Sequence, residues 1–455
     1  MTRSSQLVYG GWVAIYLLVI SAILILFDGT GDAGDSVLHF LMAQYAPSHP
    51  ELFFDHWGKP MNTLLAALPA QWGFKAVQAL NGVYVLIAAL LTMRAAELAG
   101  FKGYVFIPAF FLTCSNFLPL TLSGLTEPLF ALGVAMALFF YQKKDWNTLA
   151  ITVSFLPFVR SEGLIVLGVV GFFLLLQQRY KSIVWLLTGH VFFALVGWAF
   201  GKELMWVVAD NPYAHLESDY GSGSVFHFFT QMPYMIGIPN TIFLVGGIVA
   251  LLAYRWSSVY TFSFAIFAAF FTAHTAFWSL GIFCSAGLTR VFLGVFPCIV
   301  LLMGGLFHFI MDQNFNRGLQ ASALAVVIGL VMFVTESPTR LKKKDLELST
   351  DQRLMHNAAQ YIEKQYPDRR LLYNAPYLSV VTETDYFDAD ESLRLSAHHQ
   401  QWATPGDIAI WDNYATQVDY HFSFNDAIES GYIVEQLFVE GSDSIVIFSL
   451  PAEAQ

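Results

Sequence analysis

Apolar residues fill the chain from Leu7 to Val334 in long runs, and after Glu336 apolar and polar positions mix as they do in water-soluble proteins. A helix needs roughly 20 apolar residues to cross ~30 Å of hydrocarbon with every backbone group bonded internally. By that measure the runs predict about eleven spans, near residues 7–27, 75–93, 103–119, 126–141, 147–160, 163–178, 182–201, 233–254, 259–282, 287–311 and 318–334, the third and fifth being short. The first run follows Arg3 and no small-x-small site closes it. At about 20 residues it exceeds the roughly 7–15 of a signal peptide's apolar stretch, so it reads as a retained span. In the tail, 353–365 suits a helix, and 370–373, 407–411 and 444–448 suit strands, the last two being short apolar runs bounded by Gly, Pro or Asp. The expected fold is an α-helical polytopic membrane domain over residues 1–340, followed by a small soluble α/β domain at 341–455.

Charge in the loops predicts an orientation. Alternate loops carry Arg3, then Arg94 and Lys102, Lys143 and Lys144, Arg179 and Lys181, Arg255 and Arg317. The opposite loops, long at 28–74 and 202–232, carry Asp28, Asp32, Asp35, Glu51, Asp55, Glu203, Asp210, Glu217 and Asp219. Basic loops stay in the cytoplasm, which puts the N-terminus inside and the acidic loops outside a cell membrane. Arg340 and Lys342 to Lys344 conflict with an outer tail. Late charges weigh less and whole domains can translocate regardless of charge, so the tail domain is expected outside.

Composition sharpens this. Charged residues make up 13% of the chain, against roughly 25% in soluble proteins. The formal net charge of -11 argues against nucleic acid as a partner, since phosphate binding needs a basic surface. Cys114, Cys284 and Cys298 lie inside apolar runs, so the aqueous parts hold no disulfide framework. No GxGxxG, P-loop, CxxC or HExxH motif and no internal repeat occurs.

Ionisable groups gather on the acidic side. Gly29, Gly31 and Gly34 permit tight turns, and Ser36 to Tyr45 reads as a short amphipathic helix. Asp35 and His39, four apart, share a helical face. An acid at the hydrocarbon boundary suits proton abstraction, while the plainer role for Asp35 is to cap the helix and for Asp32 to make a turn. Lys59, in HWGKP with His56, either snorkels to lipid head groups or binds a lipid phosphate. Glu127 opens the fourth span in LTEPLF, Arg160 and Glu162 occupy the turn VRSEG, and Arg290 opens the tenth span in GLTR. Boundary charges that face inward are functional candidates, against which stands a surface Arg160–Glu162 pair worth ~0–1 kcal/mol. His274 reads as a hydrogen-bonded packing residue and Trp278 as an interface anchor.

The acidic first outer loop, the KP pair, the TEPL motif, the RSEG turn and roughly eleven spans with an outer tail domain resemble the C-type glycosyltransferase superfamily, which includes protein O-mannosyltransferases and lipid A aminoarabinose transferases. The resemblance implies transfer of a sugar from a polyprenyl-phosphate carrier to an extracytoplasmic acceptor, with inversion. Asp35, or Asp32, matches the family's catalytic acid; Lys59, Arg160 and Arg290 match its phosphate-binding cations, with His39, His56, Glu127 and Glu162 in support. The family's acid is often followed by Glu, whereas Asp35 is followed by Ser36, and the lysine motif has one Pro instead of two. No cofactor is required, although Asp32, Asp35 and Glu127 could offer hard oxygen ligands to a divalent metal. Two other classes compete: a secondary transporter or lipid flippase, which would favour repeats and midplane charges, and a sensor or assembly protein working through its tail.

Overall fold

Five helices of the computed structural model are long and apolar enough to cross a bilayer: Ser5–Leu26, Phe74–Leu98, Tyr180–Ala199, Ser258–Leu280 and Thr289–Asp312. The structure describes residues 3–114, 117–212, 218, 220–253, 258–312, 343–398 and 400–451. A sixth candidate, His227–Ile236 with Ile238–Ala253, bends by 118° at Gly237. There the backbone takes φ +90°, a conformation glycine adopts without steric cost. Leu7, Leu18, Ile25, Val191, Leu195, Val245 and Leu252 are all exposed along these apolar helices. So much outward apolar surface fits lipid and not water. The protein is a helical membrane protein.

Among the described residues, five or six candidates replace the ten predicted runs that fall there, and prolines account for much of the difference. Run 103–119 breaks into Tyr104–Phe106, Ile107–Thr113 and Phe117–Thr121, with Pro108 opening the middle piece. Run 147–160 yields only Trp146–Ser154 before Pro157 imposes a tight turn at Leu156–Phe158. Runs 126–141 and 163–178 are the helices Glu127–Lys143 and Gly163–Leu176, of 17 and 14 residues. The second long loop ends early, because helix begins at His227 and not 233. Run 318–334 and the 340/341 domain boundary lie outside the described residues.

Close helix contact sets the bundle. Gly247 has no room for a side chain, since a Cβ would meet the Leu302 carbonyl oxygen at 1.9 Å. The Ile238–Ala253 and Phe296–Asp312 helices therefore touch backbone to backbone, as small residues allow between membrane helices. Thr289–Asp312 also gives the molecule its two ends. Arg290 stands at its start, and Asp312 at its finish pairs with Lys102 at 2.5 Å. At ~1.5 Å per residue these ends are roughly 35 Å apart.

The tail is an α/β unit. Its helix Thr350–Gln365 opens on Ser349 with a capping box and buries Leu354, Met355, Ala358 and Ile362. Strands β1 (Leu371–Leu372), β2 (Ser392–Leu393), β3 (Ile408–Asp412), β4 (Ile433–Glu440) and β5 (Asp443–Ser449) form one sheet in the order β2-β1-β3-β5-β4. β1 runs parallel to β2 and β3, while β5 is antiparallel to β3 and β4. The tail docks on the first loop. Gly29 N–H donates to Leu346 O at 2.8 Å, Tyr45 Oη to Thr384 O at 3.2 Å, and His49 Nε2 meets Asp385 Oδ2 at 2.9 Å. Val37, Phe40 and Leu41 share a core with Leu354, Tyr373 and Leu378. First loop and tail thus lie at the Arg290 end, where His56, bonded through Nε2 to Trp206 O at 3.1 Å, also ties in the second loop.

Candidate active site

The site is assembled from four short segments, each placed by a local backbone device. Asp32 Oδ1 accepts from the Gly34 and Ser36 N–H groups at 2.9 and 3.3 Å, so Asp32 caps the helix Asp35–Tyr45. The capping role considered for Asp35 belongs to Asp32, and the Asp35 carboxylate is turned elsewhere. Pro60, first residue of Pro60–Ala70, sets the exit of the chain from Lys59, which adopts φ +64°. Lys59 leads into this short helix and not directly into a span. Pro128 behind Glu127 and the tight turn before Gly163 place Glu127, Arg160 and Glu162. Gly124 lets the LTEPLF loop approach the first loop, because a Cβ there would meet Ser36 O at 2.1 Å.

Arg290 is the hub. Its Nη1 donates to Asp32 Oδ2 at 2.6 Å and its Nη2 to Asp35 Oδ2. Its Nε lies 3.6 Å from Glu127 Oε1. The same Glu127 oxygen lies 2.8 Å from Arg160 Nη1 as an ion pair, and Arg160 Nη2 donates to Glu162 Oε1 at 2.9 Å. Arg160 Nη1 also donates to Thr126 Oγ1 at 3.0 Å. Lys59 Nζ donates to Ser161 Oγ at 3.2 Å, next to Arg160. Three cations and four carboxylates thereby form one continuous array, with Glu127 at its centre, 1% exposed. The Arg160–Glu162 pair is not the surface pair weighed above, and Lys59 does not snorkel: it is buried.

Burial and charge tune the members. Burial brings the Lys59 ammonium down to about 8, with Glu162 opposing and Arg160 assisting. Burial works to raise the Glu162 carboxyl, and the Arg160 guanidinium leads the interactions that outweigh it and hold it near 2. Burial, then Lys59, Arg160 and Arg290, press His39 down to about 3, so its ring is neutral near pH 7. His39 stacks on Trp57 at 4.8 Å between centroids, and so lines the cationic side of the array. His56 turns away to Trp206.

Asp32, Asp35 and Glu127, the carboxylates that could offer oxygen ligands to a metal, all lie against the Arg290 guanidinium. Among the described residues no group of three His, Cys, Asp or Glu side chains has metal-binding geometry. His274 is a packing residue set among Phe270 and Phe292, but its Nε2 lacks the hydrogen bond expected of it. Trp278 packs over Gly223 and Gly287 and meets His227 at a tilt of 52°, as a wedge inside the protein more than an interface anchor.

The sequence did not single out Thr126 and Ser161, although both sit inside its motifs LTEPLF and VRSEG. It also passed over Tyr414 and Asp419 of the tail, whose pKa values are raised chiefly by burial, then by Asp419 for Tyr414 and by Asp412 for Asp419, with Asp35 adding to both. No local pattern marks a tail residue as near a loop some 380 positions earlier; only the docking does.

Comparison with protein-family models, with curated proteins and with solved structures finds no match. Fold and site define the class by themselves: a helical membrane protein with a buried charge array at one end, against which a small α/β domain docks.

Proposed function

We propose that this protein is a C-type membrane glycosyltransferase. It moves a sugar from a polyprenyl-phosphate carrier to an acceptor at the extracytoplasmic face of the cell membrane, with inversion. The observation that carries the reading is the Arg290 hub, which presents an acid pair on one side and joins Arg160 and Lys59 through Glu127 and Ser161 on the other. An acid next to clustered cations suits a reaction that takes a proton from an acceptor hydroxyl while charge develops on a departing phosphate. Asp35, with its side chain 45% exposed against 27% for Asp32, takes the proton. The acceptor oxygen bonds to the anomeric carbon as the bond from that carbon to the phosphate oxygen breaks, and the electron pair leaves on the phosphate. Lys59, Arg160 and Arg290 stabilise it. Holding acceptor and donor in line between these groups supplies proximity.

One observation favours the transporter reading: the 118° break at Gly237, since broken helices line many transport sites. The broken segment 227–253 carries no Asp, Glu, Lys or Arg, however, and the charge array lies elsewhere.

Lys59 makes the carrier reading testable by pH. With its pKa near 8, the ammonium is charged below that value and neutral above it. Affinity for a short-chain polyprenyl phosphate, read by fluorescence or calorimetry in detergent, is expected to fall as pH rises from 7 to 9. Lys59→Met is expected to bind weakly at all pH values and to lose that step. Stability should move oppositely. The unfolded lysine, near 10.5, binds more protons than the folded one between about 8 and 10.5, so folding is favoured as pH rises through that window. A pH-independent affinity in the native protein would remove Lys59 from the phosphate site.

A further inference from the structure

Thr30 is a buried junction between the acid loop and the soluble domain. Gln352 Nε2 donates to Thr30 Oγ1 at 2.9 Å, and Thr30 Oγ1 donates to the Asp32 carbonyl oxygen at 2.8 Å. Ser36 Oγ donates to Thr30 O at 2.7 Å and accepts from Gly124 N–H at 2.7 Å. All three side chains are enclosed: Gln352 is 1%, Thr30 5% and Ser36 0% exposed. The chain of bonds ends on Asp32, whose carboxylate caps the Asp35 helix and grips Arg290.

The two ends of the Gln352 amide do separate work. Oε1 accepts from Ser349 N–H at 3.2 Å and Ser349 Oγ at 3.0 Å, closing the capping box of helix Thr350–Gln365. A glutamate would serve that purpose equally. Only Nε2, which a glutamate lacks, makes the bond to Thr30. The tail has other anchors at Gly29–Leu346, Tyr45–Thr384 and His49–Asp385, so this bond is not needed to keep the domain docked.

We infer that Gln352 is a positioning residue for the acid pair: through the Thr30 hydroxyl it fixes the backbone at Asp32, and so the placement of Asp32 and Asp35 about Arg290. The soluble domain is then part of the site's support, and its removal or displacement would loosen the acids without touching them. The structural inference stands on the hydrogen bonds alone; its consequence for turnover rests on the glycosyltransferase reading.

The test uses full-length protein in detergent or nanodiscs, with Gln352→Glu, Thr30→Val and the double variant. Gln352→Glu keeps the capping box and removes the donor. Thr30→Val keeps the shape and removes the hydroxyl. Hydrogen exchange at the Gly34 and Ser36 amides, both held by Asp32 Oδ1, is the direct readout. Loss of a buried hydrogen bond predicts exchange faster by roughly tenfold in each single variant, with helix 350–365 unchanged. The double variant should match a single one, because either change already breaks the same chain of bonds. If Gln352→Glu also loosens helix 350–365, Thr30→Val, which leaves the cap intact, decides alone. Unchanged exchange at Gly34 and Ser36 in Thr30→Val overturns the inference. Sugar transfer is the second readout: kcat should fall with KM for the donor little changed. If the native protein transfers no sugar, the glycosyltransferase reading fails, while the exchange result still judges Gln352.

Discussion

Replacing Asp35 by asparagine is expected to lower sugar transfer by roughly 10²–10⁴-fold, the usual contribution of a positioned general base, with folding and donor binding retained. Asparagine keeps the shape and a carbonyl oxygen for Arg290 Nη2 but cannot take the acceptor proton. The helix should not suffer, because Asp32 supplies the side-chain cap to Gly34 and Ser36. Asp32→Asn is the informative companion. Asparagine caps about as well as aspartate, so a base at Asp35 predicts a much milder effect at Asp32. Transfer by purified proteins of equal thermal stability checks both. Loss at Asp32 with near-normal turnover at Asp35 would move the role to Asp32, and loss at neither would remove the acid pair from the reaction.

Glu127→Ala is expected to cost about 3–5 kcal/mol of stability, the typical effect of removing one partner from a buried ion pair. Glu127 is 1% exposed and its Oε1 lies between Arg160 Nη1 and Arg290 Nε, so its loss leaves two guanidinium groups facing each other without the anion that separates them. Glu127→Gln should cost less, since an acceptor oxygen remains. Arg160→Met in the Glu127→Gln background should restore part of the loss by removing a charge of the opposite sign, a coupling that a double-mutant cycle reads. Thermal or denaturant unfolding in micelles measures it. Additive losses in the double variant would show that the two residues do not share the contact.

The charge array could be read in the sequence because its members sit in compact motifs next to apolar runs. Asp35, Glu127, Arg160 and Arg290 stand out where charge is scarce. Their pairing could not be read: Arg290 finds Asp32 and Asp35 across more than 250 residues, and nothing local says that one guanidinium bridges both acids. The division of labour between Asp32 and Asp35 also needed geometry, since both are acids within one turn of a helix start. Hydropathy identified a membrane protein but not its spans. A run such as 147–160 is apolar because it is buried among other helices, and Pro157 ends it long before it could cross a bilayer. In the tail the helix and three strands were legible, two of the strands as short apolar runs with Gly, Pro or Asp at their boundaries. The two-residue β2 was too short to mark itself. β4 was not legible either, because most of Ile433–Glu440 is exposed and its apolar residues do not mark one buried face.

The most direct test of the central claim is release of polyprenyl phosphate. Purified protein in nanodiscs, given a panel of polyprenyl-phosphate sugars and a membrane extract as acceptor, is expected to free the carrier phosphate from one donor, saturably. It should do so far more slowly as Asp35→Asn. Release by neither protein from any donor, with both shown to be folded, would contradict the account, and movement of the intact lipid between leaflets would replace it with a flippase.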